Sequence, residues 1–420
     1  MVEGRHSWRS PSYLAVSIAY WAFMLSDGAL RMLVLLHFHT LDFSPVEIAL
    51  LFLLYEFMGI ATYLSAGWFA SKIGLGKTLY TGMGLQILVL LALTRLSPEW
   101  TTVGSVLFVM IVQGVSGAAK DLARHGSTKV FTVQSSGNRS VDERWLTVLI
   151  GSRIAIRGAG FLIGALLLIL FDFASALFVL AAVLAVVSLA VAAFTPKQVP
   201  AIEHRVALRS LVSSNSNINR LSLSRVFIFG SRDAWFVVGV PIYFLESISD
   251  GTPAGEAAAC LLVGLFTATW IVGYGVLLTF APQSKAVARQ NPSSLRRKSL
   301  ILASLLMAVP FALAVLSFAM NLKPMLLTVA LVAGLSLFGI ALAINSTLLS
   351  ELVKVFSDDS DIRPDVNHYF ISIYIGRLIG TFLSGASYQL GGLTLCLAAS
   401  GVMALLSLVA SFGLERRLPD

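Results

Sequence analysis

Six basic residues stand inside long apolar runs of this chain: Arg31, Lys120, Arg153, Arg157, Arg232 and Arg377. Four acids share those runs: Asp27, Glu56, Asp121 and Asp233. An ionisable group at the centre of a membrane-crossing helix costs about 2.5–3.5 kcal/mol on insertion scales, so each needs a reason to be there. The planar fork of arginine matches the oxygens of phosphate, arsenate and carboxylate, whereas a buried carboxylate can hold or pass a proton. The stretch "LIGSRIAIRGAGFLIG", from Leu149 to Gly164, carries two of the arginines. Arg153 and Arg157 are one helical turn apart, and Gly160 and Gly164 continue the same stripe.

Neither arginine has an acid on its own helix, and Arg377 has none either. Counting 1.5 Å per residue from Trp145 puts Arg157 near the middle of a bilayer. The expectation is a membrane-embedded cavity with excess positive charge. Arg31, Lys120, Arg153, Arg157, Arg232 and Arg377 would bind an anion there, with Asn345 and Tyr374 as polar companions. Asp27, Glu56, Asp121 and Asp233 are the proton-coupling candidates, Asp27 first because it lies one turn from Arg31 and can pair with it. Sequence neighbours such as Lys120 and Asp121, or Arg232 and Asp233, point in different directions and are expected to find partners elsewhere. The competing reading makes the arginines structural, neutralised by acids on other helices or by backbone carbonyls. Tyr20, Trp21, Trp235, Trp270 and Tyr274 either line the same space or simply pack. His37 and His39, in "LLHFHTLDFSP", want further ligands nearby for a metal, so neither metal nor cofactor is expected.

The elements that must position these groups follow from composition. With 57% hydrophobic and 12% charged residues among 420, the chain lies far from soluble norms. Twelve runs of about 20 apolar residues recur, each long enough for a transmembrane helix. Lysine and arginine crowd the loops on one side, while the opposite loops hold only Arg95 and Lys323. That asymmetry predicts cytoplasmic termini and an even number of crossings. The net charge of +8 then reflects loop topology, and no nucleic-acid partner is expected. The first run is too long for a cleaved signal peptide and reads as an anchor. Cys260 and Cys396 fall within spans, where a disulfide has no role.

Six spans precede the polar stretch and six follow it, which predicts an N-terminal bundle over 1–195, a cytoplasmic loop over 196–222 and a C-terminal bundle over 223–420. "RGAGFLIG" from Arg157 and "RLIGTFLS" from Arg377 share an arginine, a glycine three residues on and a small residue at seven. Parallel six-helix repeats are the arrangement of major facilitator transporters, so the expected fold is all-α with twelve transmembrane helices. "GWFASKIGLGKTL" resembles the loop motif of that superfamily at Gly67, Lys72, Gly74 and Lys77, with Ser71 where aspartate is usual. A nucleotide-binding loop is excluded there because Ser71 stands where its first glycine belongs. "QGVSGAAK" resembles a second motif at Gln113, Gly114, Gly117 and Ala118, although Met110 replaces its arginine. No intramembrane protease motif is present, so no enzymatic activity is expected.

Within the superfamily, "DGALRMLVLLHFHTLDFSPVEIALLFLLYEFMGI" from Asp27, with "SGAAKDLARHGSTK" and "GSRIAIRG", resembles the ArsJ organoarsenical exporters. That resemblance implies efflux of 1-arseno-3-phosphoglycerate through the plasma (inner) membrane, conferring arsenate resistance. It also implies a functional link to the glyceraldehyde-3-phosphate dehydrogenase that makes this compound. Family members often carry lysine where this chain has Arg153 and Arg157, so the charge is kept and its type differs. An organophosphate:phosphate antiporter using Arg31 and Arg232 is the alternative. A monomer is expected, with the lipid bilayer and a small anion as its partners.

Overall fold

The computed structural model describes residues 11–97, 99–133, 139–192, 194, 213, 215–280, 292–319, 324–357 and 362–414. All regular structure among them is helical. In order these are α1 Pro11–Thr40, α2 Pro45–Ile73, α3 Leu75–Leu93, α4 Thr102–Val133, α5 Arg139–Leu170 and α6 Phe173–Ala192. Then come α7 Ser216–Phe236, α8 Gly239–Ile248, α9 Pro253–Phe280, α10 Pro292–Ala319, α11 Pro324–Phe356 and α12 Ile362–Phe412.

Local chemistry sets the helix starts. α1, α2, α9, α10 and α11 begin on proline, whose fixed φ suits the first turn and whose missing N–H would have had no partner there. Ser44 and Glu47 form a capping box before α2: the Ser44 amide donates to Glu47 Oε2 at 2.8 Å and the Glu47 amide to Ser44 Oγ at 3.4 Å. Asp172 caps α6, and the Ser175 hydroxyl and amide hold its carboxyl below the usual carboxylate range. α7 starts inside the stretch read as a loop because Asn215 caps it, accepting from the Asn217 amide at 2.9 Å while its own amide group donates to the Phe356 carbonyl at 2.7 Å.

Eleven helical stretches among the described residues are long and apolar enough to cross a membrane. One of them, His368–Phe412, has 45 residues. As a straight helix it would run about 68 Å, twice a bilayer core. It breaks at Gly391 and Gly392, where Gly392 has φ 59°, a left-handed conformation that favours glycine. The single stretch therefore supplies the last two of the twelve expected crossings. A second interruption splits the seventh crossing into α7 and α8 at Val237 and Val238, which the sequence reading treated as one continuous span.

The chain divides into two compact units. Unit 1 comprises Met1–Leu41, Met58–Arg205 and Thr267–Thr279; unit 2 comprises Asp42–Phe57, Val206–Phe266 and Phe280–Asp420. Each has its own core. In unit 1, Tyr20, Phe23, Leu79, Met83, Ala119 and Leu184 are fully enclosed. In unit 2, Ile218, Leu221, Leu295, Leu349, Leu352 and Tyr369 play that part.

Candidate functional site

In unit 1 the site is built where α1 crosses α5. A Cβ added at Gly28 would collide with the Arg157 carbonyl oxygen, one at Gly160 with that of Leu25, and one at Gly164 with that of Ala29. These contacts require glycine on both helices and bring Asp27 opposite Arg157. Arg157 Nε lies 2.8 Å from Asp27 Oδ2, and the carboxylate is almost wholly buried. α5 begins at Arg139 and so carries Asp142 and Glu143, contrary to the expectation of a helix without acids, yet Arg157 meets its acid on α1. Arg153 fares differently: its Nη1 donates to the Tyr20 hydroxyl at 3.4 Å, and among the described residues no carboxylate lies within 4.0 Å of it. Beside it, Trp21 Nε1 donates to Ser152 Oγ at 3.2 Å.

On α4, Asp121 faces two cations, Lys120 at 3.7 Å and Arg124 at 3.6 Å, and the Arg124 guanidinium also lies 5.6 Å from the Tyr63 ring centre. The Lys120–Asp121 approach corrects the expectation that chain neighbours must pair elsewhere. The long lysine side chain reaches around the helix surface, so Cβ direction alone does not decide the partner. Arg31, the partner expected for Asp27, is buried on the same helix.

Unit 2 repeats the construction with α7 and α12. A Cβ at Gly376 would strike the Val226 carbonyl and one at Gly380 the Gly230 carbonyl. Asp233 Oδ1 lies 2.5 Å from Arg232, again between chain neighbours, and its Oδ2 lies 3.4 Å from Arg377 Nε. Arg377 Nη2 donates to Glu56 Oε1 at 2.6 Å. Four buried or half-buried charges therefore alternate in a neutral row: Arg232, Asp233, Arg377, Glu56. Arg157 with Gly160 on α5 and Arg377 with Gly380 on α12 are the two copies of the sequence repeat. In each, the arginine pairs with an aspartate on the helix that the glycine touches.

The third position of the repeat has diverged. Gly164 packs on Ala29, whereas its counterpart Ser384 accepts the Val238 and Gly239 amides, each at 3.1 Å, at the α7–α8 break. Those amides have lost their helical acceptors, and the serine hydroxyl replaces them.

The remaining expected residues separate from this core. Asn345 accepts from Ser299 Oγ at 2.8 Å, tying α11 to α10. Tyr374 is buried one turn before Arg377. Trp235 is fully enclosed and meets Phe338 edge-on, and Trp270 stacks on Tyr274, so these aromatics pack. His37 stacks on Phe173 with ring centres 3.9 Å apart. In the loop motif, α2 carries Gly67 and ends at Ile73; Gly74 has φ 87°, which favours glycine, and Lys72 and Lys77 are exposed on either side. Sequence reasoning passed over Arg225. It lies buried on α7 with its guanidinium 3.7 Å from the Tyr369 ring centre, and it stands near the start of its apolar run.

No family model and no curated protein matches the chain. Solved structures do. A mutant of the nucleoside transporter NupG superposes with a TM-score of 0.69 at 16% identity, covering 96% of this chain and 98% of that one. A POT family transporter in complex with 5-aminolevulinic acid gives 0.67 at 14%, covering 94% of each, and another POT family structure, with a thioalcohol-conjugated peptide, gives 0.66 at 13% with the same coverage. At these identities the likeness speaks for the fold: the chain is an all-α, multi-pass membrane protein with the major facilitator fold.

Proposed function

We propose that this chain is a secondary active transporter exporting an organic arsenate or phosphate anion, 1-arseno-3-phosphoglycerate first of all, with both termini in the cytoplasm. The observation that carries this reading is Arg153. It is a half-buried guanidinium inside a membrane-crossing helix whose described neighbours include a tyrosine hydroxyl and no carboxylate in reach. A cation kept in that state at the cost of desolvation is suited to an anion supplied from outside the protein. Arg157, one turn away, adds a second donor fork already oriented by Asp27. The doubly anionic substrate implied by the resemblance to the ArsJ exporters suits such a pair.

The test is made in cells. Cells making this protein together with a glyceraldehyde-3-phosphate dehydrogenase tolerate arsenate better than cells making either alone, and Arg153→Gln removes the gain while the variant remains in the membrane at the wild-type level. Arsenite tolerance stays unchanged, because arsenite is uncharged near neutral pH. Full protection by Arg153→Gln sinks the assignment of this residue. Protection without dehydrogenase activity points to export of arsenate itself.

A further inference from the structure

In unit 2, α7 and α10 begin, and α12 ends, on the side whose loops are rich in lysine and arginine. Buried serines fix α12 against α7 there: Ser224 Oγ lies 2.9 Å from Ser407 Oγ and 2.8 Å from Ser411 Oγ. One turn before Ser224, Arg220 reaches the next residues of α12, since a Cβ added at Gly413 would lie 3.3 Å from its Nε. From α10, Arg296 donates Nη2 to the Phe412 carbonyl at 3.0 Å. Two guanidiniums thus meet consecutive residues at the end of one helix. Capping that end uses one N–H, and each guanidinium carries five. Among the described residues no carboxylate lies within 4.0 Å of Arg220, Arg296 or the exposed Arg297, and Arg296 Nε has no hydrogen-bond partner. The same faces turn apolar away from this end. Leu223, three residues on from Arg220, is 48% exposed; Ile301, one turn after Arg297, is 61% exposed; and Phe412 is 57% exposed. In a membrane-crossing helix such side chains meet acyl chains, and an apolar stripe that ends in arginines has the outline of a phospholipid with its phosphate at the cations.

We propose that the basic end of unit 2 is a binding site for an anionic phospholipid. Arg220 and Arg296 hold the phosphate, Arg297 and Lys298 are exposed cations beside it, and the chains lie along Leu223, Ile301 and Phe412. Free phosphate has the same headgroup chemistry but would leave the apolar stripe unused, which favours the lipid. A lipid held in this way bridges α7, α10 and α12 and keeps their ends together at the membrane surface. None of these residues belongs to the charges assigned to the transported anion, so the proposal does not depend on what is transported.

The experiment reconstitutes the full chain in phosphatidylcholine vesicles that carry a trace of photoactivatable phosphatidylglycerol or photoactivatable phosphatidylcholine, and maps the labelled peptides. On the wild type, phosphatidylglycerol labels the basic ends of α7, α10 and α12 in excess over phosphatidylcholine. Arg220→Gln and Arg296→Gln weaken its retention there by about fivefold for each arginine removed. Lysine at both positions keeps part of the excess, because the charge survives and the planar fork does not. The thermal midpoint of the detergent-solubilised protein separates the two sources of phosphate: phosphatidylglycerol raises it more in the wild type than in the double Arg220→Gln, Arg296→Gln variant, and inorganic phosphate at the same concentration does not. Equal labelling of these ends by the two lipids on the wild type, or an excess that persists unchanged in the double glutamine variant, overturns the proposal. A rise with inorganic phosphate equal to that with phosphatidylglycerol shows a site for free phosphate and overturns the lipid assignment.

Discussion

The two arginines of the repeat are held as buried ion pairs, and such pairs respond asymmetrically to mutation. Removing one partner strands the other charge and costs about 3–5 kcal/mol, while removing both exchanges a buried pair for two neutral groups. Asp27 is nearly inaccessible and lies 2.8 Å from Arg157, so the rule applies to it. Asp27→Asn and Arg157→Gln, each alone, should lower the thermal midpoint of the detergent-solubilised protein, and the double variant should unfold at a higher temperature than either single variant. Additive losses would mean that the two residues act through different neighbours. Sequence alone located these arginines and acids but not their pairing. Asp27 and Arg157 are 130 positions apart, Glu56 and Arg377 are 321, and only the packing of helices decides which acid meets which base.

At the scale of helices, glycine spacing was the legible signal. Arg-x-x-Gly in "RGAGFLIG" and "RLIGTFLS" marks the helices whose backbones approach a neighbour closely enough to exclude a side chain, and both glycines sit at such a crossing. A graded substitution separates this role from mere flexibility. Gly160→Leu drives a branched side chain into the Leu25 carbonyl and the Ala29 amide, neither of which can retreat without moving α1. Overpacking costs about 1–3 kcal/mol in a core whose side chains can shift, so against backbone the loss should lie at or beyond the upper end. Gly84→Ala, inside α3, meets nothing within 4 Å and should leave stability unchanged or raise it by up to about 1 kcal/mol. Equal yields of folded Gly160→Leu and Gly84→Ala protein in the membrane would contradict the tight α1–α5 crossing. The break between α7 and α8 was harder to read. Its run "FVVGVPIY" offers a glycine and a proline, but the run stays apolar throughout, and the serine that accepts the freed amides lies about 145 positions downstream.

For the whole molecule the charge balance of the two units differs in degree. Among the buried and half-buried charges described, Arg31, Lys120, Arg124, Arg153 and Arg157 stand against Asp27 and Asp121 in unit 1, whereas in unit 2 Arg220, Arg225, Arg232, Arg296 and Arg377 stand against Glu47, Glu56, Asp233 and Glu351. On the transporter reading, the excess of cations in unit 1 receives the anion, and Glu56 is a candidate for a proton carried with it. The consequence is electrical. Moving one elementary charge across a membrane is worth about 2.3 kcal/mol per 100 mV, so a multiply charged anion leaves a negative interior downhill, and each proton that leaves with it forfeits one charge of that drive. Proteoliposomes loaded with 3-phosphoglycerate should lose it faster when a potassium diffusion potential makes the interior negative. If Glu56 carries that proton, charge moved per anion, read from the potential that stops net flux, should be one unit larger in Glu56→Gln than in the wild type, and the dependence of efflux on an imposed pH gradient should weaken with it. Efflux indifferent to the potential in both proteins would show an electroneutral exchange and would remove the membrane potential as the driving force.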